Sequence, residues 1–343
     1  MEWPDFLEDF IESNRIEAIV FFGDCREYHR IAHMIAERKK LEIGVFEEGY
    51  VRPDYVTFEE FGVNGHSLLS KQRDFYEQLD TAEYNAHDAL NVGNTFWYAA
   101  WWAFLYYWFS FVYASKFRKY HHHRPLQLIE IIYWIRSIWR KWWYKYLESD
   151  LDRATILAMS KGYYLVPLQI STDAQVREHS DFSSVENFIE KVISSFSAFA
   201  PTETILLIKH HPLDRGYHDY KALIHRLAVH YNVVDRIRYI HDQHLPTLLE
   251  NARGVVVINS TVGLSAIHHN TPIKACGNAI YDFEGLTYQG TLENFWSECN
   301  RFHIDRNLYE RFRGYVIVHK QINGSFYKKI PESSMHSGII WSK

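Results

Sequence analysis

The sequence predicts an α/β protein built from two doubly wound, Rossmann-like halves. Two observations lead to this prediction. Short apolar runs alternate with helical patterns along both halves of the chain, which is typical of parallel strands covered on both faces. Several of these runs stop abruptly at polar residues, as strands do at the sheet edge where ligands bind.

The first half opens with the strand, helix, strand pattern of a doubly wound sheet. The predicted elements are a strand at 17–22, a helix at 28–40, a second strand at 42–46 and a loop rich in glycine and asparagine at 59–70. The second strand runs directly into Glu47 and Glu48. Carboxylates therefore stand at the edge of this sheet.

An aromatic and basic insert follows. Residues 91–115 carry no charged side chain and contain a dense run of Trp, Tyr and Phe at 96–113. This run is long enough to cross a bilayer, but its Trp and Tyr lie through the middle, whereas these residues prefer the headgroup boundary. A second helix is predicted at 125–147, and eight Lys or Arg stand against one acid between 116 and 145. The pattern is typical of a helix on an anionic membrane surface, and the alternative is a buried helical hairpin with a solvated basic face.

The membrane contacts are assigned to aromatic and basic positions of this insert. The predicted residues are Trp101, Trp102, Arg118, Arg124, Arg140, Trp142 and Trp143. Three adjacent histidines at 121–123 lie in the same basic run, where a lipid headgroup is a better partner than a metal ion.

The second half returns to the α/β pattern. The predicted strands lie at 163–168, 205–208, 233–239, 255–258 and 271–277, and the predicted helices at 185–199, 220–231, 246–251 and 292–315. In an open α/β sheet the ligand lies outside the carboxyl ends of the strands, so the residues that follow these strands are the candidate site.

Polar side chains with the chemistry of phosphate ligands follow two of these strands. Lys209, His210 and His211 come after one strand, and Asn259, Ser260 and Thr261 precede a helix that begins near Val262. A lysine and a histidine suit a nucleotide phosphate by charge and hydrogen bond, and a helix start adds backbone N–H donors. The alternatives are a structural His-Pro turn and a simple helix cap.

Carboxylates follow strands in both halves. Glu47 and Glu48 follow a strand of the first half, and Asp173 follows a strand of the second. If the halves face each other, an acid from each side meets, and retaining glycosyl transfer uses such a pair as nucleophile and acid/base. Taken singly, each acid is also explained as a cap of a turn or helix.

Composition excludes several classes of function. The formal net charge of −5 gives no reason to expect a nucleic-acid partner. Cys25, Cys276 and Cys299 lack metal-ligand spacing and cannot all pair, so we expect free thiols in a reducing compartment and no metal site. The acidic N-terminus has no apolar segment of the kind a signal peptide requires.

Five motifs together resemble one family. The chain is similar to the bacterial capsule polysaccharide biosynthesis proteins, the β-Kdo transferases of the KpsS and KpsC type, and its single module and aromatic insert look more like the KpsS type. The motifs, in chain order, are Glu47-Glu-Gly-Tyr-Val-Arg52, Gln169 to Asp173 with Gln175, Lys209-His-His-Pro212, Asn259-Ser-Thr-Val-Gly263, and Tyr281 through Thr287.

The resemblance implies a fold and a reaction. The fold is a glycosyltransferase B-like arrangement of the two Rossmann-like domains, and the reaction is retaining transfer of β-Kdo from CMP-Kdo to phosphatidylglycerol or lysophosphatidylglycerol. This transfer starts the lipid-linked Kdo linker of a capsular polysaccharide and needs neither metal nor cofactor. The expected location is cytoplasmic, peripheral on the inner face of the cytoplasmic membrane, with other capsule biosynthesis or export proteins as further partners.

The resemblance also implies residue roles. Asp173 is the expected nucleophile and Glu47 or Glu48 the acid/base, with Glu47 favoured. The expected nucleotide-sugar contacts are Lys209, His211, Asn259, Ser260, Thr261, Gln169 and Arg52, of which Arg52 holds the sugar carboxylate.

The chain departs from the family pattern at two places, and three other functions stay open. His210 stands where the related motif has proline, and Leu264 and Ser265 stand where it carries an acidic contact to the ribose. The alternatives are a capsule enzyme that uses another nucleotide sugar, a non-catalytic lipid- or glycan-binding scaffold of a capsule export complex, and a CDP-polyol phosphotransferase.

The expected domain organisation follows from these patterns. It comprises an N-terminal α/β acceptor domain at 1–95, the membrane-contact insert at 96–150, a nucleotide-sugar domain at 151–310 and a C-terminal segment at 311–343 that packs back on the first domain.

Overall fold

The structure is a computed structural model that describes residues 2–85, 89–116, 129–151, 153–331 and 338–340. The chain forms two compact units. The first comprises Met1–Leu69, Leu79–Glu130 and Arg311–Lys343, and the second comprises Ser70–Gln78 and Ile131–Glu310. The C-terminal segment is thus grouped with the N-terminal residues. The predicted insert at 96–150 is divided between the two units.

The secondary structure of the described residues alternates helices and strands. The helices are α1 (Trp3–Asn14), α2 (Glu27–Lys39), α3 (Arg73–Glu77), α4 (Thr81–Tyr84), α5 (Phe96–Val112), α6 (Ile129–Leu147), α7 (Arg153–Ala158), α8 (Ala174–Glu178), α9 (Val185–Phe199), α10 (Lys221–His230), α11 (Leu245–Asn251), α12 (Val262–His268), α13 (Leu292–Glu298) and α14 (Arg306–Lys320). The strands are β1 (Ala18–Phe22), β2 (Glu42–Glu48), β3 (Tyr55–Glu60), β4 (Tyr163–Pro167), β5 (Ile205–Lys209), β6 (Ile237–Ile240), β7 (Gly254–Val257), β8 (Ile273–Ala275) and β9 (Gln321–Asn323).

The described part of the first unit contains a mixed sheet in the order β1-β2-β3-β9. β1 and β2 are parallel, as predicted, whereas β3 is antiparallel to β2 and to β9. The prediction of a loop from residue 59 is wrong at its start, because β3 extends to Glu60. Glu59 is buried in this strand, where its carboxylate accepts hydrogen bonds from the Tyr50 and Ser67 hydroxyls. Burial raises the pKa of Glu59, and these two hydrogen bonds reduce that increase.

The second unit contains, in its described residues, a parallel sheet in the order β6-β5-β4-β7-β8. The chain winds outward from β4 in one direction through β5 and β6, and in the other through β7 and β8. β4 and β7 are buried along their whole length, which explains their unbroken apolar sequences. The strand order reverses between β4 and β7, and such a reversal opens a ligand crevice at the carboxyl ends of the two strands.

Local signals fix the helices of the second unit. The predicted helix at 185–199 is confirmed as α9, because the Ser184 side chain caps it and its apolar face packs into the core beside Trp296. The single helix predicted at 292–315 is wrong. It is interrupted between α13 and α14, because the Asp305 carboxylate accepts the N–H of Leu308 and starts a new helix.

Helix α5 is apolar on all sides and none of its residues is buried. The alternative of a buried helical hairpin is therefore wrong for this helix. Trp101 and Trp102 are both more than half exposed, and the Trp102 indole donates to the Tyr327 carbonyl at 3.1 Å. A helix that is hydrophobic all round requires an apolar surrounding, which a protein interior or a lipid can provide.

Helix α6 presents two contrasting faces. Its docked face uses Tyr133, Arg140 and Tyr144 against the segment 215–219 and His241. Its opposite face exposes a stripe of large apolar side chains at helical spacing, and we call this stripe the outer face of α6. The outer face comprises Ile132, Ile135, Ile138, Trp139, Trp142, Trp143 and Tyr146.

The structure changes part of the predicted set of membrane contacts. Arg140 was assigned to lipid, but its side chain is only 12% exposed, and it donates to the carbonyls of Arg215 and His218 and pairs with Asp219. It is a docking residue of α6, because these backbone acceptors satisfy it within the fold. Arg118 and Arg124 lie outside the described residues. No helix in the described part of the chain is both long and apolar enough to span a bilayer.

The docking of α6 depends on a glycine. A Cβ atom at Gly216 would lie 2.3 Å from the carbonyl oxygen of Tyr133, which is a backbone atom of α6. We therefore expect Gly216→Ala to displace α6 and to lower the free energy of unfolding by about 1–3 kcal/mol in urea denaturation. The control is Gly162→Ala, whose Cβ would meet its nearest atom, the Met159 carbonyl oxygen, at 3.1 Å. Equal stability of the two variants would contradict the docking.

Candidate active site

A glutamine joins the two strands at the reversal of strand order. The Gln169 side chain, which follows β4, donates to the Asn259 side chain at 3.0 Å, and its oxygen accepts the Asn259 backbone N–H at 3.4 Å. It also donates to the Asp173 carboxylate at 3.2 Å. Gln169 is only 6% exposed, so its amide serves other residues of the site. The resemblance implies that Gln169 contacts the nucleotide sugar, whereas its hydrogen bonds go to Asn259 and Asp173 and make it a positioning residue.

Asp173 is held in a fixed orientation at this reversal. One carboxylate oxygen accepts the Gln175 backbone N–H at 3.0 Å and caps α8, and the other accepts from Gln169. The capping role that the sequence leaves open is therefore present. It does not exclude catalysis, because the carboxylate is only partly buried and two donors aim it. An oriented carboxylate of this kind is suited to nucleophilic attack.

The residues after β7 differ in placement: Asn259 braces a neighbouring loop, whereas Ser260 and Thr261 lie at the edge of the site. The Asn259 amide donates to the carbonyls of Gln175 and His179, so Asn259, predicted as a sugar contact, braces the loop instead. The Ser260 hydroxyl accepts the Val262 N–H at the start of α12. Ser260 and Thr261 are partly exposed at this edge, and their hydroxyls are of the type that contacts a phosphate.

The lysine at the end of β5 is buried. The Lys209 ammonium is 6% exposed and donates to the His241 carbonyl at 2.8 Å. Burial lowers the pKa of Lys209 to about 8. The prediction of a direct phosphate contact does not match this placement, because the ammonium points into the interior. Lys209 therefore contributes positive charge beneath the edge of the site, not a hydrogen-bond donor at its surface.

The two adjacent histidines have different environments. His210 is buried, its Nδ1 lies 2.6 Å from the Tyr239 hydroxyl, and burial together with His241 lowers its pKa to about 3, so its ring is neutral. His210 is thus a buried, structural residue in this chain. The His211 Nδ1 accepts the Leu213 N–H at 3.2 Å, so the proton of the neutral ring lies on Nε2.

A buried acid that the sequence analysis missed joins the loops after β4 and β5. Asp214 is 1% exposed, and its carboxylate accepts the Ser171 backbone N–H at 3.1 Å and the Ser171 hydroxyl at 3.0 Å. Its position two residues after His-His-Pro resembles an ordinary turn, so only the tertiary contact reveals it. Through Gln169 and Asp214, the loops that carry Asp173, His211 and Ser260 form one connected rim.

A cavity of about 590 Å³ opens beside this rim at the carboxyl end of β8. Its polar lining includes His179, Lys274, Asn278 and Asp282. It is wide and open to solvent, and the acids Glu178 and Asp181 also lie in its lining. The cavity contacts the same loop that Asn259 braces through the His179 carbonyl.

The two acids of the first unit differ in their partners. Because they are adjacent in β2, their side chains point to opposite faces of the sheet. The Glu48 carboxylate accepts the Tyr327 hydroxyl at 2.6 Å, whereas a Glu47 oxygen lies beside the turn at Gly23 and the other accepts the Glu48 N–H. Arg52 is exposed, and its Nε donates to the Gly49 carbonyl.

Comparison with known proteins identifies the family. Residues 17–327 match the family described as capsule polysaccharide biosynthesis protein. This chain belongs to that family. It is 40% identical over 333 residues to the capsule polysaccharide export protein KpsS of Escherichia coli, covering 95% of this chain and 83% of that protein. It is also 40% identical over 335 residues to the capsule polysaccharide modification protein LipB of Neisseria meningitidis, covering 96% and 79%.

A solved structure confirms the fold of this family member. The chain is similar to Thermosulfurimonas dismutans KpsC, described as a beta Kdo 2,7 transferase, with a TM-score of 0.50 and 14% identity over 97% of this chain and 84% of that one. The predicted fold class, α/β with Rossmann-like sheets of the glycosyltransferase B type, is confirmed.

The connected rim gives a stability prediction. Asp214→Ala would leave the Ser171 N–H and hydroxyl without their acceptor, so we expect a loss of about 1–3 kcal/mol in the free energy of unfolding. Ser171→Ala removes one of the two bonds and should cost less, about 1 kcal/mol. Urea denaturation measures both, with the exposed Asp181→Ala as control. If Asp214→Ala is as stable as Asp181→Ala, Asp214 does not hold the rim.

Proposed function

We propose that this protein is a retaining glycosyltransferase that transfers β-Kdo from CMP-Kdo to a phosphatidylglycerol or lysophosphatidylglycerol acceptor. The observation that carries the proposal is Asp173, an oriented carboxylate at the strand-order reversal of a parallel sheet. The sugar is suggested by family membership and by the described activity of KpsC. The product would be the first segment of the lipid-linked Kdo linker of a capsular polysaccharide.

The proposed reaction has two displacement steps. Asp173 attacks the anomeric carbon of the sugar, the bond to the CMP phosphate breaks, and CMP leaves with that electron pair. An acceptor hydroxyl then attacks the same carbon, Glu47 takes the hydroxyl proton, and the bond to Asp173 breaks. Two inversions give net retention of configuration.

The other rim residues have supporting roles in this proposal. The Nε2–H of His211 and the hydroxyls of Ser260 and Thr261 donate to the phosphate of the leaving CMP, and the buried charge of Lys209 favours the same anion. The cavity beside β8 receives the nucleoside. The terminal nitrogens of Arg52 pair with the sugar carboxylate. No metal or cofactor has a role.

The acceptor lipid suggests a membrane-surface location. The outer face of α6 is apolar and stands beside the exposed cations Arg136, Lys141 and Lys145. Apolar and basic side chains on one helix favour an anionic lipid surface. Together with α5, this helix would hold the protein peripherally on the inner face of the cytoplasmic membrane.

A non-catalytic scaffold is the second candidate. The E. coli relative is described as an export protein, and the exposed faces of α5 and α6 would serve lipid binding without any turnover. A scaffold does not require the Asp173 carboxylate. The same substitution at Asp173 therefore separates the two functions.

We expect Asp173→Asn to abolish transfer and keep the fold. Asparagine still caps α8, so the free energy of unfolding should change little, while kcat should fall at least ~10³-fold because the nucleophile is lost. Turnover is measured with CMP-Kdo generated in situ and fluorescent lysophosphatidylglycerol, and mass spectrometry of wild-type protein without acceptor should find the sugar on Asp173. Unchanged capsule export by the inactive variant would support the scaffold instead.

The same assay distinguishes the two glutamates of β2. We expect Glu47→Gln to lower kcat about 10²–10⁴-fold, as loss of an acid/base does. Glu48→Gln should be milder, because Glu48 is bonded to Tyr327. The opposite order would assign the acid/base role to Glu48.

The membrane proposal predicts a change in vesicle binding. Replacing Trp142 and Trp143 with serine should weaken binding to phosphatidylglycerol vesicles at least ~10-fold in a sedimentation assay, because two large exposed apolar groups are lost. Serine at Phe199 and Val229, which are exposed on α9 and α10, is the matched control. Equal loss in both double variants would mean that the outer face of α6 does not contact lipid.

A further inference from the structure

A buried acid at the end of α6 holds the turn after β6. Glu148 is 8% exposed, and one of its carboxylate oxygens accepts both the His241 backbone N–H at 2.7 Å and the His241 Nδ1–H at 2.8 Å. Its other oxygen accepts the Asp242 N–H at 3.2 Å and the Gln243 side chain at 3.4 Å. Burial raises the pKa of Glu148, but these hydrogen bonds outweigh it and leave the pKa below its usual value. The carboxylate is therefore charged and fully engaged.

The turn that Glu148 holds is the one that anchors Lys209. The His241 carbonyl is the acceptor of the Lys209 ammonium, at 2.8 Å. Asp242 in the same turn pairs with Arg215 at 2.8 Å, and Arg215 follows Asp214 of the connected rim. Glu148 thus fixes the turn at residues 241–243. The buried cations Lys209 and Arg215 are both bonded to this turn.

Helix α6 supplies a second contact to the same turn. The Tyr144 ring stacks on the His241 ring with a centroid distance of 3.5 Å and an interplanar angle of 6°, and the Tyr144 hydroxyl donates to Asp219 at 3.3 Å. Tyr144 and Glu148 are four residues apart and therefore lie on one face of the helix. That face is opposite the outer face of α6, which the proposed function assigns to lipid.

We propose that Glu148 is a positioning residue of the nucleotide site, which fixes the His241–Gln243 turn and through it Lys209, so that the seating of α6 sets the affinity for nucleotide. This inference rests on the proposed function in taking the rim as a nucleotide site. Glu148 does not touch the ligand. Its effect reaches the ligand through the backbone of residues 209–211 and 241–243.

The expected effect is on binding more than on chemistry. We expect Glu148→Ala to weaken CMP binding, measured by titration calorimetry, about 10-fold, because buried donors lose their acceptor and the turn relaxes. The KM for CMP-Kdo should rise in parallel, while kcat changes less than ~3-fold. Glu148→Gln, which keeps one acceptor oxygen, should lie between Glu148→Ala and wild type.

The control is a neighbouring acid without this role. Asp150 lies two residues further along, is 68% exposed, and pairs with Arg238 at 3.5 Å. Asp150→Ala removes the same charge and should leave CMP affinity within ~2-fold, since exposed ion pairs contribute little.

A pH profile separates positioning from general destabilisation. Burial lowers the pKa of Lys209 to about 8. Of the charged groups that face it, the carboxylates of Asp242 and Glu148 raise this pKa and the Arg215 guanidinium lowers it. CMP affinity should therefore fall as the pH rises through that value and the ammonium loses its proton. In Glu148→Gln one negative charge is lost, so the fall should begin at a lower pH. A merely less stable protein would keep the wild-type midpoint.

The outcomes distinguish this inference from the proposed function. If wild type and Glu148→Ala bind CMP equally and share one pH midpoint, the positioning role is overturned. If wild type does not bind CMP, the proposed donor is wrong, and amide hydrogen exchange decides the positioning role alone. Faster exchange at 209–214 in Glu148→Ala, but not in Asp150→Ala, would support it, and unchanged exchange would overturn it.

Discussion

The Gln169 carboxamide bridges the residues that follow β4 and β7, the two strands between which the strand order of the second unit reverses. Two βαβ halves diverge at this reversal, so no regular backbone ladder crosses the gap beyond the strand ends, and side chains must close it. One amide binds the backbone and side chain of Asn259 and also the carboxylate of Asp173. The Asp173 carboxylate, the proposed nucleophile, is thus positioned by the same residue that joins the halves of the sheet.

Buried charge is the second constraint on this unit. Lys209, Asp214, Arg215 and Glu148 are all nearly inaccessible, and each has at least one charged or backbone partner that offsets its desolvation. Removing one partner of such a set leaves another group uncompensated. The rim is therefore a cooperative assembly, in which residues that never meet a ligand determine where His211 and Ser260 stand.

The parts of the fold that were predicted from sequence are those with local signals. Helix α9 matches its prediction at both ends because a serine cap and an apolar face at helical spacing are visible within about 15 residues. Strand β3 was missed although its partner β2 directly precedes it, and its other partner, β9, lies more than two hundred residues away, so the pairing with β9 has no local signature in the sequence. The site divides in the same way. Residue type predicted Asp173, His211 and Lys209 as candidates, but it could not show that the Lys209 ammonium turns toward the His241 carbonyl, which is a tertiary contact.

The choice between Glu47 and Glu48 shows where sequence reasoning ends and geometry begins. Two adjacent glutamates cannot be distinguished by residue type, yet in β2 they face opposite sides of the sheet, so only one of them can lie on a given face. The Tyr327 hydroxyl donates to Glu48, while the Tyr327 carbonyl accepts from Trp102 of α5. Burial and the Glu48 charge raise the pKa of Tyr327, so it remains a neutral donor at physiological pH. Glu48 is therefore tied to the aromatic helix through the side chain and backbone of Tyr327. The first unit thus connects an exposed apolar helix to the Glu48 carboxylate at the end of β2, as the second unit connects α6 to Lys209 through His241.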